Sequence, residues 1–310
     1  MPRIAFALSA LLLAATAGVA EARAPNGEKD VARMISLSGS CGGCDLSGKK
    51  LLNARINGAN FQSANLVGAD MRGARIVGSN FASADLSRVD LRGAYMMGAN
   101  FQSAEFSGAQ MEGIEATGSN FVAARLRRVD LRSAELKGVN FSKAQLTEAD
   151  LRHSELHGVI MVGADARRVD FRNSEMNAAN LSAGNFSGAD FRNTDLNSAI
   201  MTGADFDGAD FRNADLSNAN LHGADLSRAK GLTQDQIDDA CSNSSTRLPS
   251  GITSKGCASR HRRVVIHAEA QAEARAAQAE ARAAQAEAAA RMRAVRVQPA
   301  PPVPPKPPRN

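Results

Sequence analysis

Ala204-Asp205-Phe206-Asp207-Gly208-Ala209-Asp210-Phe211-Arg212-Asn213 spells one five-residue unit twice. Moving outward from it, an apolar residue recurs at every fifth position from Leu46 to Leu226, through Leu51, Ile56, Phe61, Leu66 and Met71, without one insertion. That makes 37 units, or 36 steps of five over 180 residues. Each such residue is the centre of its unit. Two residues before the centre sits a small residue, mostly Ala (Ala59, Ala64, Ala69); between them stands Asn or Asp (Asn60, Asp70, Asp210); two residues after it, Gly is common (Gly68, Gly98, Gly188). A period of five is neither the 3.6 of a helix nor the sustained alternation of an ordinary strand. It fits a short extended stretch and a tight turn, repeated. The centre and the residue two before it point to one side, so each unit presents one large and one small apolar side chain to a common axis. Gly at the corner tolerates the backbone angles of a tight turn.

A second period of twenty sets the number of walls. Arg follows the centre at 72, 92, 132, 152, 172, 192 and 212, with Glu112 as the interruption, and Phe is the centre at 61, 81, 101, 121 and 141. Asn precedes each of those Phe residues, and Arg-Val-Asp recurs at 88–90, 128–130 and 168–170. Four walls per coil bring these positions into line; three or five do not. Two units break the inward pattern: Ile114-Glu115-Ala116 swaps large and small, which conserves volume, and Ala164-Asp165-Ala166 has two small residues. The second should be loosely packed, or filled by neighbours such as Met161 and Val169.

The pattern Ala-Asp/Asn-Leu/Phe-X-X, matched in full by Ala209-Asp210-Phe211-Arg212-Asn213, resembles the pentapeptide-repeat family over residues 46–226. That resemblance implies an all-β solenoid, a right-handed quadrilateral β-helix. With roughly nine coils about 4.8 Å apart, the rod is about 43 Å long. Stacking sets like residues over one another. On the wall with the Arg series, Asp precedes the centre at 70, 90, 130, 150, 170, 190 and 210. The acidic and basic ladders cancel side by side. This reads as avoidance of repulsion rather than as a cation site, because Arg competes for the same carboxylates.

The remaining segments set context. The chain has 310 residues, no Trp, one Tyr and twelve Phe, so Ala, Leu and Phe must build a thin repetitive core. Its net charge is +5, but the repeats themselves are about neutral and the excess lies in the last fifty residues and a few flanking positions. Residues 1–24 read as a secretory signal peptide: Arg3, an apolar run from Ile4 to Val19, then small residues at Ala20, Ala22 and Ala24. The expected organisation is signal peptide 1–24, lead-in 25–45, β-helix 46–228, C-terminal cap 229–258, an Ala/Glu/Arg/Gln-rich helix 259–297 and a Pro-rich tail 298–310. In the cap, Thr233 and Gln236 form a capping box, Leu232 and Ile237 a hydrophobic staple, and a short helix is expected over 234–241. In the segment 268–290, Gln271, Arg275, Gln278, Arg282 and Gln285 fall on one helical face, and Glu273, Glu280 and Glu287 on the opposite one.

Four Cys lie near the two ends: Cys41 and Cys44, then Cys241 and Cys257. Structural disulfides are the favoured reading, with free thiols and the Cys41-Gly42-Gly43-Cys44 redox spacing left open. A four-Cys zinc site is excluded by the length of the rod. No catalytic constellation, metal set, cofactor fingerprint or small-molecule site is expected. His153 and His157 read as surface residues without carboxylate partners.

Three functional classes follow. The first is a non-enzymatic exported scaffold binding a protein or envelope component through its walls, or pairing as a homodimer. The exceptions among outward positions mark candidate interface residues: Tyr95, Met97, Val122, Ile160, Val162 and Ile200. The second is polyanion binding (lipopolysaccharide or nucleic-acid phosphates) by Arg88, Arg127, Arg128, Arg167 and Arg168. The third comes from the resemblance alone: some pentapeptide-repeat proteins imitate DNA and modulate topoisomerases. That role needs an acidic cytoplasmic rod, which a near-neutral body behind a signal peptide does not match.

Overall fold

The structure, a computed structural model, describes residues 40–254 and 256. The chain climbs as a parallel β-helix in which each residue before a centre bridges the residue twenty further on, from Asp45↔Asn65 to Asp210↔Lys230. Strands β1 (Arg55–Asn57) and β2 (Arg75–Val77) pair in register, Ile56 opposite Ile76. Elsewhere each wall contributes one bridge per coil. The hydrogen bonds explain why so short a stretch suffices. Leu51 N donates to Asp70 O (2.7 Å), Asp70 N donates to Lys49 O (2.9 Å), and Ala54 N closes the turn on Leu51 O (3.0 Å). Every unit thus commits its backbone groups to the coils above and below and to its own corner.

All corners share one conformation. Every fifth residue from Gly43 to Gly223 has a positive φ, between 53° and 69°. Nineteen of these 37 are not glycine; Arg88, Arg128 and Arg168 are among them. The Asn or Asp before the centre stabilises the same corner: its Oδ1 accepts the amide two residues on, as Asn60 does from Gln62 (3.1 Å) and Asp195 from Asn197 (2.9 Å).

Inside, centres and small residues alike are buried, Ile114 and Ala116 as fully as the rest, and so are Ala164 and Ala166. Phe61, Phe81, Phe101, Phe121 and Phe141 form a stack with centroids 4.8–5.3 Å apart. Above it the aromatic core changes walls. Phe171, Phe191 and Phe211 stack at 5.0 and 5.1 Å, and Phe186 stacks on Phe206 at 5.3 Å. Gly184 stands in the small inward position below Phe186. A Cβ there would lie 2.5 Å from Phe186 Cε2, so the ring occupies the room an alanine would need. Where Ser replaces the inward Ala, its hydroxyl is partnered: Ser79 Oγ donates to Ile56 O (3.0 Å) and accepts from Ala59 N (3.1 Å).

Past the last complete coil, helix α1 (Gln234–Asp239) takes the place of a wall, between the bridges Asp210↔Lys230 and Asn220↔Cys241. Thr233 and Gln236 make the reciprocal capping box, and Ile237 is buried. Gln236 Nε2 also donates to Phe211 O (3.0 Å) and Ala214 O (2.7 Å), tying α1 to the coil beneath. Cys41 and Cys44 form a disulfide, and Cys241 is disulfide-bonded. The expected signal peptide, most of the lead-in, Cys257, the Ala-rich helix and the Pro-rich tail lie outside the described residues.

Candidate functional site: four walls of different chemistry

With four units per coil, each wall is a column of nine or ten centres, and the residues on either side of each centre face outward. The first wall has centres Leu46 to Leu226, the second Leu51 to Phe211, the third Ile56 to Leu216 and the fourth Phe61 to Leu221.

The second wall is zwitterionic. Sixteen of its eighteen outward positions, two for each of nine centres, carry charge. Each Arg of the series folds back on the Asp of its own unit, as Arg152 Nη2 does on Asp150 Oδ2 (2.6 Å), and Arg72, Arg132, Arg152, Arg172 and Arg192 also approach the Asp of the next coil, as Arg152 Nε does Asp170 (3.6 Å). The guanidinium hydrogen bonds hold Asp70, Asp90, Asp130 and Asp210 below the ordinary carboxylate pKa. The carboxylates are occupied, as the paired ladders in the sequence imply.

On the first wall, Arg127, Arg128, Arg167 and Arg168 line a concavity of about 550 Å³ with Ser107, Gly108, Thr147 and Glu148. Each of the four has a partner. Arg128 Nε (2.7 Å) and Arg168 Nη2 (2.6 Å) both grip Glu148 from the coils below and above. Arg127 bonds Gln145 (2.8 Å) and Arg167 bonds Asp165 (2.7 Å). The two guanidiniums, Arg128 foremost, lower the Glu148 pKa. Arg88 stands in the same corner column, beneath Gly108.

The third wall carries a feature that the five-residue motif does not announce. Its position before the centre is Arg55, Arg75, Tyr95, and then acidic in six successive coils from Glu115 to Asp215. Lys137 bridges Glu135 (2.9 Å) and Glu155 (2.8 Å). His157 Nε2 lies 2.9 Å from Glu175 Oε2, which corrects the expectation that this histidine has no carboxylate partner. The partner is eighteen residues away and becomes a neighbour only once the coil length is applied. Tyr95 is covered: the Arg75 guanidinium lies 4.4 Å over its ring, and its hydroxyl contacts Met97 Sδ at 3.6 Å.

The fourth wall is uncharged. Its eighteen outward positions, from Asn60 and Gln62 to Asn220 and His222, include no Lys, Arg, Asp or Glu. Asn60, Asn80, Asn100 and Asn120 form a side-chain ladder with Nδ2–Oδ1 contacts of 3.0–3.1 Å. Val122, Ile160, Val162 and Ile200 lie on this wall, half-buried against their neighbours. Tyr95 and Met97 lie around the Gly98 corner, on the third wall. Of the six candidate interface residues, the fold therefore gathers four on one face. Leu52, 50% exposed on the second wall, is the exposed large apolar side chain among the described residues. Among those residues, no group of three or more His, Cys, Asp or Glu could hold a metal ion, and no helix is long and apolar enough to cross a membrane.

A four-walled solenoid whose chemistry is spread along its walls defines a repeat protein. Sequence models of the pentapeptide repeat region and of pentapeptide repeats match residues 84–161, and 40–76, 174–213 and 202–230. The chain belongs to the pentapeptide-repeat family. It is similar to HetL, a pentapeptide repeat protein involved in heterocyst differentiation regulation from Nostoc sp. strain PCC 7120. Identity is 28%, 72% of this chain and 97% of that one are covered, and the TM-score is 0.40. A trypsin-treated form of QnrB1, a plasmid-mediated fluoroquinolone resistance protein, gives 17%, 73%, 95% and 0.32. A pentapeptide repeat protein of the Arabidopsis thaliana thylakoid lumen gives 30%, 35%, 75% and 0.21. Curated protein sequences give no match.

Proposed function

We propose that this protein is a non-catalytic, exported scaffold that binds another polypeptide through its fourth wall. One observation carries the reading: the eighteen outward positions of the fourth wall are uncharged, whereas sixteen of the eighteen on the opposite, second wall are charged. Depletion of charge, rather than bulk hydrophobicity, is the compositional mark of an interface core. The apolar exceptions Val122, Ile160, Val162 and Ile200 fall on that face. On this reading α1 and the residues that follow it close the upper end of the rod, where an open coil would otherwise offer unpaired strand edges. Export rests on residues 1–24. The geometry favours polyanion binding less, because Arg127, Arg128, Arg167 and Arg168 are already bonded to Gln145, Glu148 and Asp165.

The test is site-specific photo-crosslinking in intact cells. A photoreactive residue at Ser142 on the fourth wall should capture a defined polypeptide, and the same residue at Arg152 on the second wall should not. Equal capture from both walls, or none from the fourth, overturns the reading. A chain recovered from the cytoplasm still beginning at Met1 overturns export.

A further inference from the structure

We infer that the polypeptide received by the fourth wall is a second copy of this chain, packed about a two-fold axis that lies in the wall at the coil of Met161. The inference rests on the fourth wall being an interface and names its occupant. Three observations carry it.

The first is charge. A two-fold contact sets a wall against itself. Centred on the acidic run of the third wall it would oppose carboxylates, and centred on the Arg corner of the first wall it would oppose guanidiniums. The fourth wall has no charge among its outward positions and meets its own copy without repulsion.

The second is spacing. Val122 follows Phe121, Ile160 and Val162 flank Met161, and Ile200 precedes Met201. These three centres share a column and are forty residues, or two coils, apart. Val122 and Ile200 therefore lie about 10 Å on either side of the Met161 coil, one to the right of the column and one to the left. An in-plane axis through Met161, running near the strand direction but tilted from it, lays Val122 of one copy over Ile200 of the other. It also sets Ile160 and Val162 against their own counterparts. One operation matches all four apolar residues.

The third is a hydrogen bond given up. Along this column Asn accepts the amide two residues on: Asn140 from Ser142 (2.9 Å), Asn180 from Ser182 (3.1 Å), Asn220 from His222 (3.1 Å). At positions 160 and 200, isoleucine has no oxygen with which to do so. Both departures from the corner's own chemistry fall where the two-fold operation requires an apolar side chain.

The experiment uses the full chain. It should sediment as a dimer, and Ile160→Asn combined with Ile200→Asn should sediment as a monomer with unchanged circular dichroism, since Asn restores the corner bond. A short bismaleimide distinguishes the geometry. Val162→Cys, beside the axis, should cross-link to itself. Val122→Cys and Ile200→Cys should each self-link weakly but join several-fold more when mixed. A monomer at all concentrations overturns the inference, as does Val122→Cys linking to itself as well as to Ile200→Cys. If the chain is monomeric while Ser142 still captures a different polypeptide in cells, the second copy is wrong and the scaffold reading stands. If Ser142 also captures nothing, both fall.

Discussion

At the scale of the residue, two neighbouring positions, one at a corner and one in the core, bear on stability. The corner two residues after each centre is left-handed whether or not it is glycine, as at Ala183 (φ 53°). A Cβ in that conformation costs about 1 kcal/mol, so Ala183→Gly should stabilise the protein by roughly that amount in a urea titration. One residue along, Gly184→Ala should have the opposite effect. Its Cβ would meet the Phe186 ring at 2.5 Å, and the overpacking should destabilise by roughly 1–3 kcal/mol. Two adjacent Gly/Ala exchanges of opposite sign separate backbone strain from packing; equal signs would contradict the assignment of one position to the corner and the other to the core. The Gly at 184 is visible in the sequence as a departure from Ala. Its cause is not, because it lies in where the Phe186 ring points.

At the scale of the wall, the Asp–Arg ladder makes stability depend on pH in one direction. Asp70, Asp90, Asp130 and Asp210 titrate lower in the folded chain than their ordinary value, first because each accepts hydrogen bonds from the Arg of its own unit. In the unfolded chain they titrate near 3.9. Their contribution is therefore complete above about pH 4 and is lost as the pH falls through the lower folded values. The urea midpoint should hold between pH 5 and 7 and decline below 4. A chain carrying Asp130→Asn and Asp210→Asn should decline less steeply; an equal slope would assign the acid sensitivity elsewhere. The assignment of residues to walls is legible in the sequence alone, because position modulo twenty supplies it: the Arg and Phe series, the Asn column and the departures Ile160 and Ile200 all follow. The carboxylate partner of His157 and the double grip on Glu148 are not. They join side chains eighteen and twenty residues apart, and which rotamers meet across a coil is not written in a five-residue motif. The six-coil acidic column from Glu115 to Asp215 has a signal, Asp or Glu at every twentieth residue, that the Arg series overshadows.

At the scale of the molecule, the rod is nearly one-dimensional: each coil touches only its neighbours. Its upper end is held differently from its middle. Gln236 joins the Thr233 capping box to the carbonyls of Phe211 and Ala214. Gln236→Ala should therefore release amide-exchange protection around 211–226 while leaving the Phe61–Phe141 stack protected. Loss along the whole rod would show that the coils do not open locally.

The twenty-residue offset that joins every pair of bridged residues has a consequence for how such a chain can change length. Excising any twenty consecutive repeat residues shortens the rod by one storey, about 4.8 Å, and leaves each face of the upper part in line with the same face below. Excising five turns everything above the cut by a quarter, so that the neutral side continues into a charged one; excising ten sets opposite sides in line. In length the gene is free to gain or lose a unit at a time, but in azimuth only every fourth step is silent. A shortened chain lacking 126–145 should fold and keep its faces, whereas one lacking only 126–130 should fold with its faces out of phase, a difference that wall-specific cross-linking would read directly.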